Sequence, residues 1–189
     1  MNKAIFLDRD GTINEEVDYL KSPDELIVFP YANEALGILK SLGFLNIVIT
    51  NQSGIARGFF TEEDLKQIHE KLLSTTNKET KLIDGIYYSP YHKDGEVEKY
   101  KIDSGLRKPR IGMILEARKE HSIDLNSSFF IGDTFTDMQT AQNAGLKKIL
   151  VLTGYGSRDL QKCLDENLKV DFIANDFLDA AKYIKKFSN

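Results

Sequence analysis

Short apolar runs alternate with helix-patterned stretches along the chain, and this alternation constrains the fold more than any other feature. The runs are residues 4–7 (AIFL), 44–49 (FLNIVI), a weaker one at 83–88, 129–131 (FFI) and 149–152 (ILVL). Each is too short for a helix and apolar at successive positions, as expected of strands buried on both faces. Between them Ala35, Leu36, Leu39 and Leu42 recur at helical spacing, with Gly43 as a stop. Thr61 is placed to cap a helix that opens Glu62-Glu63-Asp64 and buries Leu65, Ile68 and Leu72. Further helices are predicted over 112–119, 137–144 and 177–186. Buried strands alternating with helices imply an α/β fold, a Rossmann-like, mostly parallel sheet flanked by helices. The 189 residues suit one domain over 1–189. Residues 89–107 break the rhythm, being polar and without periodicity, and read as a loop insertion near the functional site.

Composition removes several function classes. A formal charge of −4 without a basic stripe argues against nucleic acid as a partner. The single cysteine, Cys163, excludes an intrachain disulfide and any multi-cysteine zinc site. No apolar run approaches the roughly 18–20 residues that span a bilayer. The opening segment meets two acids within ten residues, unlike a secretory leader. A cytoplasmic monomer with no membrane partner is expected.

The informative residues follow the strands. Asp8 and Asp10 come directly after the first run, in Phe6-Leu7-Asp8-Arg9-Asp10-Gly11-Thr12. Ligands of an open α/β sheet bind beyond the carboxyl ends of its strands. Asp8 therefore stands at the binding edge, and Gly11 permits a tight turn behind Asp10. The second run ends on Thr50, followed by Asn51-Gln52-Ser53-Gly54, and the fourth ends in Gly132-Asp133-Thr134-Phe135-Thr136-Asp137. Arg107 and Lys108 precede Pro109 and the helix leading to that strand. A lone D-x-D, Gly-Asp or strand-end Thr is an ordinary turn feature; the four elements in this order define a site. Converging carboxylates without cysteine or histidine suit a hard cation such as Mg²⁺. A lysine and hydroxyls nearby balance a phosphoryl group. One aspartate can attack phosphorus while another, two residues on, moves the proton.

These residues resemble the haloacid dehalogenase superfamily of phosphatases in all four of its motifs: Asp8-Arg9-Asp10-Gly11-Thr12, Thr50, Lys108, and Gly132-Asp133 with Asp137. Asp8-Arg9-Asp10-Gly11-Thr12-Ile13-Asn14, Thr50-Asn51-Gln52-Ser53-Gly54-Ile55-Ala56-Arg57-Gly58 and Arg107-Lys108-Pro109 with Gly112-Met113 look like its histidinol-phosphatase and heptose-bisphosphate phosphatase branch. The resemblance implies Asp8 as nucleophile and Mg²⁺ ligand, and Asp10 as general acid/base and metal ligand through its backbone carbonyl. It implies Thr50 and Lys108 on the transferring phosphoryl group, and Asp133 completing the metal site with support from Asp137. Tyr19, Asn51, Gln52, Ser53 and Arg107 match positions that contact sugar or distal phosphate, and Glu16 and Arg57 join them in the expected substrate-binding set.

The implied activity is Mg²⁺-dependent hydrolysis of the 7-phosphate of D-glycero-D-manno-heptose 1,7-bisphosphate through an aspartyl-phosphate. The alternatives are histidinol-phosphate phosphatase or a non-catalytic phosphate-binding protein on the same fold. Enzymes of this group commonly carry a C-x-H…C-x-C zinc loop; here Ser89, Tyr91, Ser104 and Leu106 stand at the corresponding positions, so no structural zinc is expected. Tyr88, Tyr91, Tyr100 and Leu106 are the groups available to anchor the loop instead. Thr134 stands where the group often has lysine. His69, His92 and His121 read as surface histidines, Tyr87-Tyr88 as strand packing, and Cys163 as inert.

Overall fold

The computed structural model describes residues 1–77 and 79–187. Strands and helices alternate in order: β1 (Lys3–Leu7), α1 (Ala32–Ser41), β2 (Phe44–Asn51), α2 (Glu62–Thr76), β3 (Gly85–Ser89), α3 (Gly112–His121), β4 (Phe129–Gly132), α4 (Phe135–Asn143), β5 (Lys147–Val151), α5 (Gly156–Asp165), β6 (Phe172–Ala174) and α6 (Phe177–Phe187). All pairings are parallel, in the order β3-β2-β1-β4-β5-β6. This is the Rossmann-like sheet that the strand–helix alternation predicts.

The two-residue period of a strand divides the core. Ile5 and Leu7 of β1, Val48 of β2 and Ile131 of β4 face a layer made by α1, α2 and α6. Ala4 and Phe6, Ile47 and Ile49, and Phe130 face the other side, against Met113, Ile114 and Ala117 of α3 and Ala141 of α4. Leu150 of β5 packs with Phe135 and Met138 of α4 and Cys163 of α5. Cys163 is buried there, and burial pushes its thiol pKa up, as suits an inert cysteine. Among the described residues no helix is long and apolar enough to cross a membrane.

Two elements go beyond those expected from the sequence. β6 is three residues long, and α5 buries Gly156, Asp159 and Cys163 and packs Leu160 beside Cys163, a helical spacing that the sequence reading passed over. A Cβ at Gly156 would come within 1.8 Å of the Val151 carbonyl oxygen, so α5 starts hard against the end of β5.

The topology locates the site. Strand order reverses between β1 and β4, where one half of the sheet winds back through β2 and β3 and the other runs on through β5 and β6. Connections leave β1 and β4 in opposite directions and open a crevice at their carboxyl ends. Leu7 pairs with Ile131 across that junction, so Asp8 and Asp133 both leave the sheet at this crevice.

Candidate active site

Asp8 is fixed by its own turn, its Oδ1 accepting the Arg9 backbone N–H at 2.7 Å. Lys108 Nζ reaches the same oxygen at 3.0 Å and Asp137 Oδ1 at 2.6 Å. All three side chains are buried. Burial opposes the lysine charge, but the Asp137 and Asp8 carboxylates outweigh it and raise the ammonium pKa. Burial, then the Asp137 charge, pushes Asp8 up to about 8.

Asp137 does more than the support expected of it. Besides gripping Lys108, it closes a capping box on α4: its Oδ2 accepts from Thr134 Oγ1 at 2.6 Å and from the Thr134 backbone N–H at 3.1 Å. Thr134, in the place where lysine is common, is thus the N-cap that orients Asp137.

Asp133 Oδ2 accepts the Tyr155 backbone N–H at 2.8 Å, while its Oδ1 is buried without a hydrogen-bond partner. Burial, then the Asp8 charge, pushes its pKa up to about 9. Two glycines make room for this carboxylate. A Cβ on Gly11 (φ +74°) or on Gly154 (φ +53°) would sit 2.2 Å from Asp133 Oδ2. Thr153 Oγ1 donates to the Gly11 carbonyl at 2.6 Å and ties the two turns together.

Asp8, Asp133 and Asp137 offer carboxylate oxygens within 4.8 Å of one another. The Asp10 carboxylate stands apart from that group. It accepts from Arg9 Nη2 (2.8 Å to Oδ2) and Nε (3.1 Å to Oδ1), from Asn14 Nδ2 (2.9 Å) and from Gln52 Nε2 (3.1 Å). Burial opposes its ionisation, but the Arg9 charge and these hydrogen bonds hold its pKa below the usual carboxylate range. Arg9 is wholly buried and its Nη1 meets His69 Nε2 at 3.1 Å.

His69 is therefore not the surface residue that its sequence neighbourhood predicts. The helical spacing that buries Leu65, Ile68 and Leu72 buries the residue beside Ile68 as well. His121 departs from the surface reading too, being part-buried against Tyr87, with an Nε2 that makes no hydrogen bond and lies 3.9 Å from Glu120 Oε1. His92 is also part-buried, its Nδ1 accepting the Asp94 backbone N–H at 3.1 Å.

A cavity of about 300 Å³ opens over Asp8 and Asp10 and is lined by Glu16, Tyr19, Thr50, Asn51, Gln52, Ser53, Arg107 and Lys108, joined by Asp18, Thr134 and Tyr155. Most of the expected site residues thus converge. Two of them are already engaged. Asn51 spends its amide on Lys108, accepting the Lys108 backbone N–H at 3.0 Å and donating to its carbonyl at 3.2 Å, which braces the lysine. Gln52 bridges Thr50 Oγ1, at 2.8 Å, to Asp10. Burial, then the Asp10 charge, pushes Glu16 up to about 7. Arg9 and Tyr155 are contributors that sequence reasoning missed. Arg9 sits inside the D-x-D and looks like a spacer, and Tyr155 acts through its backbone.

At the far wall Arg107 Nη1 donates to the Tyr91 carbonyl at 3.3 Å. Burial, then the adjacent Arg57 charge, lowers the Arg107 pKa. Arg57 Nε is buried with no hydrogen-bond partner, and no carboxylate pairs with Arg57 among the described residues. Arg57, expected among the substrate-binding residues, does not line the cavity that Arg107 lines.

Residues 90–107 cover this wall and contain a single helical turn, Glu98–Tyr100. The Ala56 carbonyl accepts from the backbone N–H groups of Glu96 and Val97 at 2.8 and 2.9 Å. Tyr88 and Tyr100 donate their hydroxyls to Glu62, at the first turn of α2, and pack beside Ile55, Phe60 and Leu65. Leu106 packs against the α3 side of the core. Of the positions matching zinc ligands, Ser89 is buried in β3 and Tyr91 lies against Tyr100, ring centroids 6.2 Å apart.

A Rossmann-like sheet with an Asp–Lys–Asp cluster at its switch point defines a phosphoryl-handling hydrolase, and the comparisons agree. A HAD-hydrolase-like family model matches residues 105–180. The D-glycero-beta-D-manno-heptose-1,7-bisphosphate 7-phosphatase of Pasteurella multocida (strain Pm70) is 40% identical over 186 residues, covering 98% of each chain. The D-glycero-alpha-D-manno-heptose-1,7-bisphosphate 7-phosphatase of Burkholderia mallei (strain ATCC 23344) is 37% identical over 151 residues, covering 80% of each. The crystal structure of D,D-heptose 1.7-bisphosphate phosphatase from B. bronchiseptica, complexed with magnesium and phosphate, superposes with a TM-score of 0.86 at 31% identity, covering 98% of this chain and 99% of that one. The chain belongs to the haloacid-dehalogenase-like hydrolases, in the family of the heptose-1,7-bisphosphate 7-phosphatases.

Proposed function

We propose that this chain is a phosphoric monoester hydrolase that removes the 7-phosphate of D-glycero-D-manno-heptose 1,7-bisphosphate through an aspartyl-phosphate. The observation that carries the reading is Asp8 at the crevice, held by Lys108 at 3.0 Å, beneath a cavity lined by Arg107, with the Arg57 charge acting on Arg107 from outside the lining. The Asp8 carboxylate attacks phosphorus, and the bond from phosphorus to the sugar O7 breaks. Asp10 gives the leaving oxygen its proton. It then takes a proton from the water that attacks phosphorus, releasing orthophosphate and restoring Asp8. The hold of Arg9 on Asp10 suits the second, base role. A phosphate dianion docked beside Asp10 raises its pKa toward the first, acid role. Lys108 and Thr50 hold the phosphoryl oxygens in transit, and Asn51 keeps Lys108 in place.

A divalent cation fits the residues present. The donors are all oxygen, and the unpartnered, buried Asp133 Oδ1 beside Asp8 wants a positive partner. We assign Asp8 and Asp133 as the carboxylates that hold Mg²⁺, with the Asp10 carbonyl. When bound, Mg²⁺ supplies the charge that keeps the crevice carboxylates ionised and offsets that of the phosphoryl group.

Arg107 takes the spare 1-phosphate. Relatives acting on both the beta and the alpha sugar lie at similar identity, so anomer choice rests with the cavity wall. The test is orthophosphate release from α- and β-heptose bisphosphate and from histidinol phosphate, with Mg²⁺ and with EDTA. Turnover of a bisphosphate that stops with EDTA and in Asp8→Asn supports the reading; faster turnover of histidinol phosphate overturns it.

A further inference from the structure

His69 lies on the buried face of α2, 9% exposed, with its ring edgewise to Tyr88 at 5.8 Å between centroids. A guanidinium has donors only. The 3.1 Å contact from Arg9 Nη1 to His69 Nε2 therefore makes Nε2 the acceptor and leaves the ring proton on Nδ1. Burial, then the Arg9 charge, lowers the ring pKa to about 3, consistent with a neutral imidazole. Arg9 is wholly buried, and its Nε and Nη2 are spent on the two oxygens of Asp10. His69 is the acceptor that the structure offers to its third nitrogen. With that acceptor gone, a buried donor on a charged group is left unpaired, and the guanidinium relieves this by turning. A turn of the guanidinium carries the Asp10 carboxylate with it.

We propose that His69 is a positioning residue for phosphoryl transfer: accepting from Arg9 Nη1, it locks the guanidinium that aims the Asp10 carboxylate at the reacting phosphate. The proposal rests on the reading of Asp10 as the acid/base. It makes α2, which supplies nothing else to the chemistry, part of the catalytic frame.

The test is steady-state kinetics of the full chain on heptose bisphosphate with Mg²⁺, for His69→Leu and His69→Gln, each in the wild-type and the Asp10→Asn background. A misaimed catalytic group costs about 10- to 100-fold, so His69→Leu is expected to lower kcat by that factor with KM nearly unchanged. His69→Gln places an amide oxygen where Nε2 was and should recover most of the loss. In the Asp10→Asn background His69→Leu should change kcat little, because the group it aims is already gone. Unchanged kcat, an effect confined to KM, or an equal loss in both backgrounds overturns the proposal. Wild-type turnover by Asp10→Asn alone overturns the reading of Asp10 instead, so the two failures are distinct. Should His69→Leu melt below the assay temperature, His69→Gln is compared with His69→Asn, whose shorter side chain puts its oxygen near Nδ1 and away from Arg9. Equal activity of those two variants also overturns the proposal.

Discussion

Asp8 and Asp10 are two residues apart and hold opposite electrostatic positions. Asp8 is pushed up to about 8 by burial and its carboxylate neighbours, whereas Asp10 is held low by Arg9. The roles need the opposite order, an ionised Asp8 to attack and a protonated Asp10 to give the leaving oxygen its proton, so the charges of a bound cation and of the docked phosphate have to reverse it. Asp8→Asn is expected to abolish turnover, because an amide is a poor nucleophile toward phosphorus. Asp10→Asn should slow it by about 10²- to 10⁴-fold. Both are read as orthophosphate release, with the acyl-phosphate sought by mass spectrometry in the slow Asp10 variant. Arg107→Ala removes one charge-assisted contact worth about 1.5–3 kcal/mol. It should lower kcat/KM on the bisphosphate about ten- to a hundred-fold and on a sugar monophosphate hardly at all. Equal losses on the two substrates would place Arg107 at the reacting phosphate. The two aspartates stand out in the sequence because a strand end exposes them. Arg9 does not, because what distinguishes it is burial, and burial is decided by α2 packing over it.

At the scale of elements, α4 and the 90–107 loop carry the chemistry that their sequences only half declare. Thr134→Ala removes an N-cap, which costs about 1 kcal/mol. It also frees the Asp137 oxygen that the cap had fixed, so kcat should fall together with Tm. A Thr61→Ala control, breaking the capping box of α2, should lower Tm similarly while lowering kcat less than Thr134→Ala does. The loop is held by Glu62, the Ala56 carbonyl and a tyrosine pair, where the resemblance leads one to look for a metal. We expect elemental analysis of chelator-free preparations to find no stoichiometric zinc. Tyr100→Phe should raise KM for the bisphosphate more than it lowers kcat, because it loosens the wall bearing Arg107. An α4 beginning at residue 137 is expected from the apolar spacing, whereas the cap at Thr134 starts it at Phe135.

For the molecule as a whole, the switch point gathers carboxylates that the fold prefers uncharged until a cation is present. Burial, reinforced by neighbouring carboxylates, raises Asp8 and Asp133 to about 8 and about 9, above the usual carboxylate values of the unfolded chain. Between about pH 4 and those values the folded state binds more protons than the unfolded state, so stability falls as pH rises, and the loss is complete above them. A cation that binds the ionised pair should offset that loss. The increase in Tm on adding Mg²⁺ is therefore expected to grow from pH 5.5 to pH 8.5, and EDTA should reverse it, as followed by thermal melts. A pH-independent increase would remove Asp8 and Asp133 from the cation site.

The sequence by itself determined the strand–helix alternation, the parallel sheet and the edge at which Asp8, Thr50 and Asp133 emerge. Apolar period, turn chemistry and strand ends are local properties, written within a few residues of one another. It left β6 unmarked, because three residues are too few to show a period, while α5 was legible in the spacing of Leu160 and Cys163 and was passed over. Only the tertiary structure decided which side chains meet. Lys108 lies between Asp8 and Asp137, Asn51 braces Lys108, and His69 backs Arg9, across separations of 29 to 100 residues. Such partnerships depend on how helices settle against the sheet, which side chain is left without water, and which donor then faces which acceptor. No local pattern encodes that choice, because it is made by the packing of elements distant in the chain.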